Sequence, residues 1–331
     1  MKTENNYHKR TGSIACPENC TPFEALKSID AMLPQQEKGF YCYLEENILN
    51  LSTCGHEGLA KAYQSTLHSL KRYFGESDFP FSTLTPLSVT SYYQRLLQSG
   101  VCKNTAGFYL HNMKAIYMRG CRELGLDLPS PFSALKIGAE RTLKRALPIE
   151  EIRMIAHLPL YEGTPEALAR DLFMFSLYTR GMAFVDIAFL RKANISVDEL
   201  DYKRHKTGKT IRIGINRQMR DLFEKYEGEN GDYLFPLINN SESLYTSYRR
   251  SYYHMRYALK KVALQAGMKS PLRFHAARHS WAVIAYESGA PIQTISECLG
   301  HSSERITRIY LKDLDRSVLD SLNDLVAERI G

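Results

Sequence analysis

Residues 275–282 read His275-Ala276-Ala277-Arg278-His279-Ser280-Trp281-Ala282, residues 299–303 read Leu299-Gly300-His301-Ser302-Ser303, and Tyr310 stands nine residues beyond His301. Two imidazoles, a guanidinium and a phenol in this order suit chemistry on a phosphodiester. Arginine presents forked, permanently charged donors to phosphate oxygens. Histidine donates to the same oxygens or moves a proton near neutral pH. Tyrosine serves as a nucleophile that forms a covalent phosphoryl-enzyme. Each residue alone is commonly structural; the set, in this order and spacing, is what points to a site.

Upstream, residues 178–186 read Tyr178-Thr179-Arg180-Gly181-Met182-Ala183-Phe184-Val185-Asp186, and Lys206-Thr207-Gly208 follows. Two strand-like runs, Ile195–His205 and Thr210–Asn216, flank Thr207-Gly208-Lys209, a hairpin pattern because glycine supplies the turn conformation. The rest of the chain from Ile149 follows helical spacing. In the amino-terminal half, helices are predicted over Leu59–Phe74, over Leu87–Leu97 after Pro86, and over Thr105–Leu124, where Tyr109, Met113, Ile116, Tyr117 and Cys121 share one side. The fold class is therefore mainly α with a small β-hairpin. Residues 1–35 are polar and proline-marked, read as an arm or as a short helix around Phe23–Met32. Residues 128–148 carry Pro129, Pro131 and Pro148 with Lys136, Arg141, Lys144 and Arg145 against Glu140 alone, the composition of a basic interdomain linker.

The chain has 331 residues, 44% of them hydrophobic, which is enough material for two ordinary cores. Its formal charge of +7 favours a polyanionic partner without choosing among DNA, RNA and a membrane surface. No apolar run is long enough to cross a bilayer, and the start, Met1-Lys2-Thr3-Glu4, lacks the apolar core of a signal peptide. Seven scattered cysteines suggest reduced thiols and a cytoplasmic setting. Cys16 and Cys20 have no second pair at zinc-ligand spacing, so no metal site is expected.

Lys203–Arg220 holds seven lysines or arginines and no acid, and Tyr245–Arg278 holds eight and no acid, interleaved with Tyr248, Tyr252, Tyr253 and Tyr257. Such runs suit a phosphate backbone or a major groove. Lys103, Lys114, Lys144, Arg145, Arg249, Arg250 and Arg256 are the DNA-binding candidates. The tyrosines fit a core as well as they fit DNA.

The motif tracts resemble those of the tyrosine recombinases, the phage-integrase-type site-specific recombinases, in the branch of bacterial mobile elements and invertases. The resemblance is specific from about Asp171 to Tyr310. It implies a two-domain architecture: a helical, SAM-like core-binding domain over 36–127 that grips one side of DNA, and a mixed α/β catalytic domain over 149–331. It implies that Arg278 clamps the scissile phosphate with His275 one helical turn before it. His301 would donate to a non-bridging oxygen or help position the phenol. Tyr310 would attack, leaving a 3′-phosphotyrosine and a 5′-hydroxyl, and Lys206 would protonate the departing oxygen, with Lys209 as its rival across the turn. Neither metal nor ATP is needed, so no cofactor is expected.

One position departs from the family pattern. The first arginine is expected where Ala183 stands, three residues before Asp186. Arg180 is the substitute, because on a helix 180 and 183 share a face one turn apart; Arg191 is the alternative.

The implied activity is site-specific recombination, as integration, excision or inversion, on double-stranded DNA with an inverted-repeat core site, and a DNA-bending accessory protein is a candidate partner. Two other readings share features with it: a type IB topoisomerase-like relaxing enzyme, and a catalytically silent DNA-binding relative. After Tyr310, the amphipathic tail Leu311–Ile330 is expected to exchange between subunits of a homotetramer. Deleting it is expected to weaken assembly on DNA more than DNA binding, read by comparing band-shift affinity with complex size in sedimentation; equal losses would mean that the tail packs on its own domain.

Overall fold

Apolar residues at three- and four-residue spacing make both halves of the chain helical. The computed structural model describes residues 38–133, 138, 140, 146–228, 231–269, 271–301, 303–311 and 327–328. The expectations for the 1–35 arm, for Lys144 and Arg145, and for the exchange tail apart from Leu311, Ala327 and Glu328 fall outside the described residues. The chain divides into two units between Glu140 and Arg141.

The first unit contains α1 (Phe40–Thr53), α2 (Glu57–Phe74), α3 (Pro86–Gln98) and α4 (Lys103–Glu123). Helix α3 begins where expected, because Pro86 is pre-set for a first turn and Thr85 and Ser88 cap each other's backbone N–H. The Asp78 carboxylate accepts the N–H groups of Tyr41 and Cys42 at 2.7 and 3.1 Å, satisfying the start of α1. Phe40, Leu70, Tyr92, Leu110 and Met113 form the core. Of the α4 side read from the sequence, Met113, Ile116, Tyr117 and Cys121 are buried.

The second unit contains α5 (Ile149–Ala156), α6 (Pro165–Tyr178), α7 (Phe184–Ala188), β1 (Glu199–Lys203), β2 (Thr210–Gly214), α8 (Arg217–Tyr226), α9 (Leu244–Gln265), α10 (Phe274–Glu287), α11 (Ile292–Cys298) and α12 (Glu304–Leu311). Helix α6 is apolar around most of its circumference and is accordingly central, packing against α5, α8, α9 and α10. The strands pair antiparallel with Leu200 opposite Ile213 and Tyr202 opposite Ile211, and these four side chains are the buried ones. Both strands are shorter than the sequence suggests. The Ser196 N–H and hydroxyl both donate to the Glu199 carbonyl at 2.9 Å, a turn after which β1 begins at Glu199, and Asn216 is taken out of β2 because its side-chain oxygen accepts the Met219 N–H at 2.9 Å and caps α8.

Phe175, fully buried on α6, meets Phe235 edge-on with centroids 5.0 Å apart. Phe175→Ala is expected to lower unfolding stability by about 3–5 kcal/mol in urea titration, because the cavity lies under a helix with neighbours on several sides.

Candidate active site

Helix α6 ends at Tyr178, and the next residues fold back instead of continuing the helix. Arg180 has φ +58° and Gly181 φ +73°, and the Gly181 N–H reaches back to the Ser176 carbonyl at 2.7 Å. This corrects the helical argument for Arg180: positions 180 and 183 lie in a turn and share no helical face, because two left-handed residues end the helix there. Arg180 extends instead toward the hairpin, where its Nη1 donates to the Arg212 carbonyl at 3.4 Å. Gly181 is required by space as well as by backbone, since a Cβ there would sit 2.6 Å from the Arg278 Cα. That contact seats the turn on α10.

On α10, Arg278 is only 4% exposed. Its Nη1 donates to the Gly181 carbonyl at 3.0 Å, and its Nη2 donates to the Leu299 carbonyl. One guanidinium thus joins the α6–α7 turn, α10 and the Leu299-Gly300-His301 turn that ends α11. His275 is exposed one turn before it, with its ring against that of His279, centroids 4.6 Å apart; His279 itself is buried. Gly300 has φ +63°, letting the chain reverse so that the His301 N–H returns to the Ser296 carbonyl at 3.0 Å. The His301 Nδ1 lies 2.9 Å from the Thr307 hydroxyl on α12, the helix whose backbone includes Tyr310 three residues later.

The hairpin is held from two sides. Arg204, 8% exposed, donates from Nη1 to the carbonyls of Leu299 and Gly300 at 3.2 and 3.0 Å. The buried Asp186 carboxylate on α7 accepts the His205 N–H at 2.8 Å and lies 3.3 Å from its ring nitrogen. Lys206, exposed at the turn, follows directly on these two anchors, and Lys209 is exposed beyond Gly208. Burial, then Asp186, pushes the Tyr202 phenol above its ordinary range, while Arg204, Arg278 and Arg180 pull the other way. The same phenol therefore feels three guanidiniums that start far apart in sequence.

A cleft of about 510 Å3 opens beside this cluster, its walls including Ala183, Tyr252, Arg256, Arg273, His275 and Arg278. Arg249 also lines it, resting over the Tyr253 ring at 4.7 Å. Of the other DNA-binding candidates, Lys114 is exposed, Lys103 pairs with Glu140 at 2.7 Å, and Arg250 pairs with Glu242 at 2.8 Å. Glu242 lies just upstream of the acid-free stretch, so α9 is less uniformly cationic than its own sequence suggests. Arg191 is exposed over the Tyr233 ring at 5.7 Å. Among the described residues, no three His, Cys, Asp or Glu gather as metal ligands.

Arg204, Arg273 and Thr307 were not singled out from the sequence. Arg204 and Arg273 sit inside the basic runs, where nothing distinguishes a buried anchor from a surface charge. Thr307 carries no sequence signal at all; its role rests on a contact with His301.

Residues 146–316 match the family described as Phage integrase family, and residues 39–132 match the Phage integrase SAM-like domain. Tyrosine recombinase XerC of Alcanivorax borkumensis is 27% identical over 263 residues, covering 75% of this chain and 81% of the relative. Tyrosine recombinase XerD of Rickettsia prowazekii is 29% identical over 56% of this chain and 62% of its own length. Among solved structures, a lambda integrase dimer bound to a COC′ core site shares the fold with a TM-score of 0.61 at 16% identity, over 81% of this chain and 93% of that one. The Tn1549 transposon integrase with circular intermediate DNA shares it with a TM-score of 0.58 at 14% identity, over 82% of this chain and 95% of that one.

Gly181→Ala is expected to cost about 2 kcal/mol or more of unfolding stability in urea titration, because a methyl group there meets both a left-handed backbone and the α10 main chain. A loss below about 0.5 kcal/mol would mean that the turn and α10 are not in contact.

Proposed function

The chain belongs to the phage integrase family, and from that premise we propose that it is a site-specific DNA recombinase with Tyr310 as its nucleophile. The observation that carries the reading is the Arg278 guanidinium, buried and shared between the carbonyls of Gly181 and Leu299. It ties together the sequence tracts that hold the other functional groups, which is what preorganisation of an anion site requires.

In the proposed reaction, double-stranded DNA presents its scissile phosphate to Arg278, His275 and His301. The Tyr310 oxygen attacks phosphorus, the bond to the 5′ oxygen breaks, and Lys206 delivers a proton to that oxygen as it leaves. A free phenol ionises near pH 10, so the cationic surroundings serve to favour its oxyanion as well as the phosphate charge. The 3′-phosphotyrosine keeps the bond energy, and the 5′-hydroxyl of a partner strand attacks it, restoring the phenol and a continuous strand without ATP. The contact between His301 and Thr307 supports a positioning role, because it ties the His301 turn to the helix that bears the tyrosine. Arg180 contributes positive charge from behind the site, next to Tyr202 and the hairpin. Lys103, Lys114, Arg249, Arg250 and Arg256, together with Lys144 and Arg145, are proposed to contact the backbone.

A lambda integrase tetramer has been solved on a Holliday junction, with a TM-score of 0.60 to this chain. We carry that assembly over as a proposal: four copies act on two sites, exchanging their carboxy-terminal segments.

The test is covalent trapping on nicked suicide substrates carrying a specifically bound site, without metal or ATP. Wild-type protein is expected to form a DNA adduct on denaturing gels, and Tyr310→Phe none. No adduct on a site that is bound specifically would assign the chain to catalytically silent DNA binding.

A further inference from the structure

The cleft beside Arg278 departs from the family pattern at one position. Ala183, standing where the family pattern calls for an arginine, lines the same wall as His275 and Arg278. Helix α9 and the residue that opens α10 add Arg249, Arg256 and Arg273 to the lining, and no acid lines it. Like charges gathered in one cavity repel unless an anion or water intervenes. Elsewhere on α9 this is managed by pairing: Arg250 has Glu242 at 2.8 Å and Lys261 has Glu166 at 2.7 Å. Among the described residues, Arg256 and Arg273 have no such carboxylate. Arg249 is committed to the ring and hydroxyl of Tyr253. Arg180 is not part of the wall, and its guanidinium reaches the β2 main chain.

The cleft is also preorganised. Phe184 packs against Tyr252 and Phe274 with centroids 5.4 and 4.6 Å away, giving the charged groups an apolar floor that limits screening by water. Arg273 is the residue before the first turn of α10, on extended backbone with φ −134°, so its base is held by a rigid element. What a phosphate recognises is the planar fork of a guanidinium, and that fork can arrive from any chain position that reaches the same place.

We propose that Arg256 and Arg273 together supply the guanidinium contact to the scissile phosphate that position 183 lacks. The phosphate is then held by Arg278, His275 and this pair, while Arg180 braces the hairpin behind it. The inference rests on the phosphoryl-transfer reading above and assigns one missing part of it.

The experiment measures single-turnover cleavage and binding of the suicide substrate by the full chain at fixed salt. The variants are Arg256→Ala, Arg273→Ala, the double variant, Arg180→Ala, and the double variant carrying Ala183→Arg. The double variant is expected to cleave roughly 100-fold to 1,000-fold more slowly, the size of effect seen when a donor to a developing charge is removed. Its affinity for DNA is expected to fall far less than its rate, by no more than about tenfold, since phosphate contacts elsewhere supply most binding. Ala183→Arg is expected to recover at least about tenfold of the lost rate, which a misfolded protein or a lost distant contact would not do. Both arginines are exposed, and melting curves check that the variants fold.

Wild-type cleavage by the double variant overturns the proposal. So does a loss of binding that equals the loss of rate with no recovery by Ala183→Arg, which makes the pair ordinary backbone contacts. A rate that falls only in Arg180→Ala gives the role to that residue. If wild-type protein forms no Tyr310-dependent adduct on a specifically bound site, the phosphoryl-transfer reading fails and this placement with it; a normal wild-type adduct beside an indifferent double variant overturns the placement alone.

Discussion

A guanidinium inside a protein needs hydrogen-bond partners that offset the cost of removing it from water. Arg278 meets that condition with two backbone carbonyls, one from the turn after α6 and one from the turn after α11. The demand is geometric: both carbonyls must point at one place on α10, so both turns must reverse sharply. Gly181 and Gly300 make the reversals, each with φ above +60°. At Gly181 the lack of a side chain also lets the turn touch the α10 backbone. A single buried charge therefore dictates where the neighbouring functional residues stand.

Arg204 extends the same logic to the hairpin. It donates to the Leu299 carbonyl that Arg278 also uses, and to that of Gly300. Charge-assisted hydrogen bonds of this kind contribute about 1.5–3 kcal/mol each, more than neutral ones. Asp186 holds the following residue through its backbone N–H. In the run Arg204-His205-Lys206, the first residue anchors through its buried side chain, the second through its backbone N–H, and the third is exposed. A lysine on an otherwise free turn would sample many positions, whereas one anchored just upstream has its backbone held in place.

Much of this was legible beforehand because local rules governed it. The periodicity of α4, the Pro86 start of α3, the strand–Gly208–strand pattern and the one-turn spacing of His275 and Arg278 all depend on residues within a few positions of one another. Where the reading went astray, a local feature was overruled by one slightly further off. Asn216 looked like the end of a strand but caps the next helix, and Arg180 looked helical but sits in the left-handed turn that ends α6. Arg250 looked like an unopposed charge until Glu242, just outside the acid-free run, proved to be its partner.

By itself the sequence determined the fold class, the hairpin and the one-turn spacing of His275 and Arg278 on a helix, because helix periodicity, turn chemistry and motif spacing are written in short stretches. Only the tertiary structure decided which of many arginines is buried and which lines a cleft. Arg204, Arg256, Arg273 and Arg278 are the same residue type in similarly basic surroundings. Carbonyls contributed by Gly181, Leu299 and Gly300, and a cleft wall that includes Ala183, give them different tasks, and those neighbours come from elements far away along the chain.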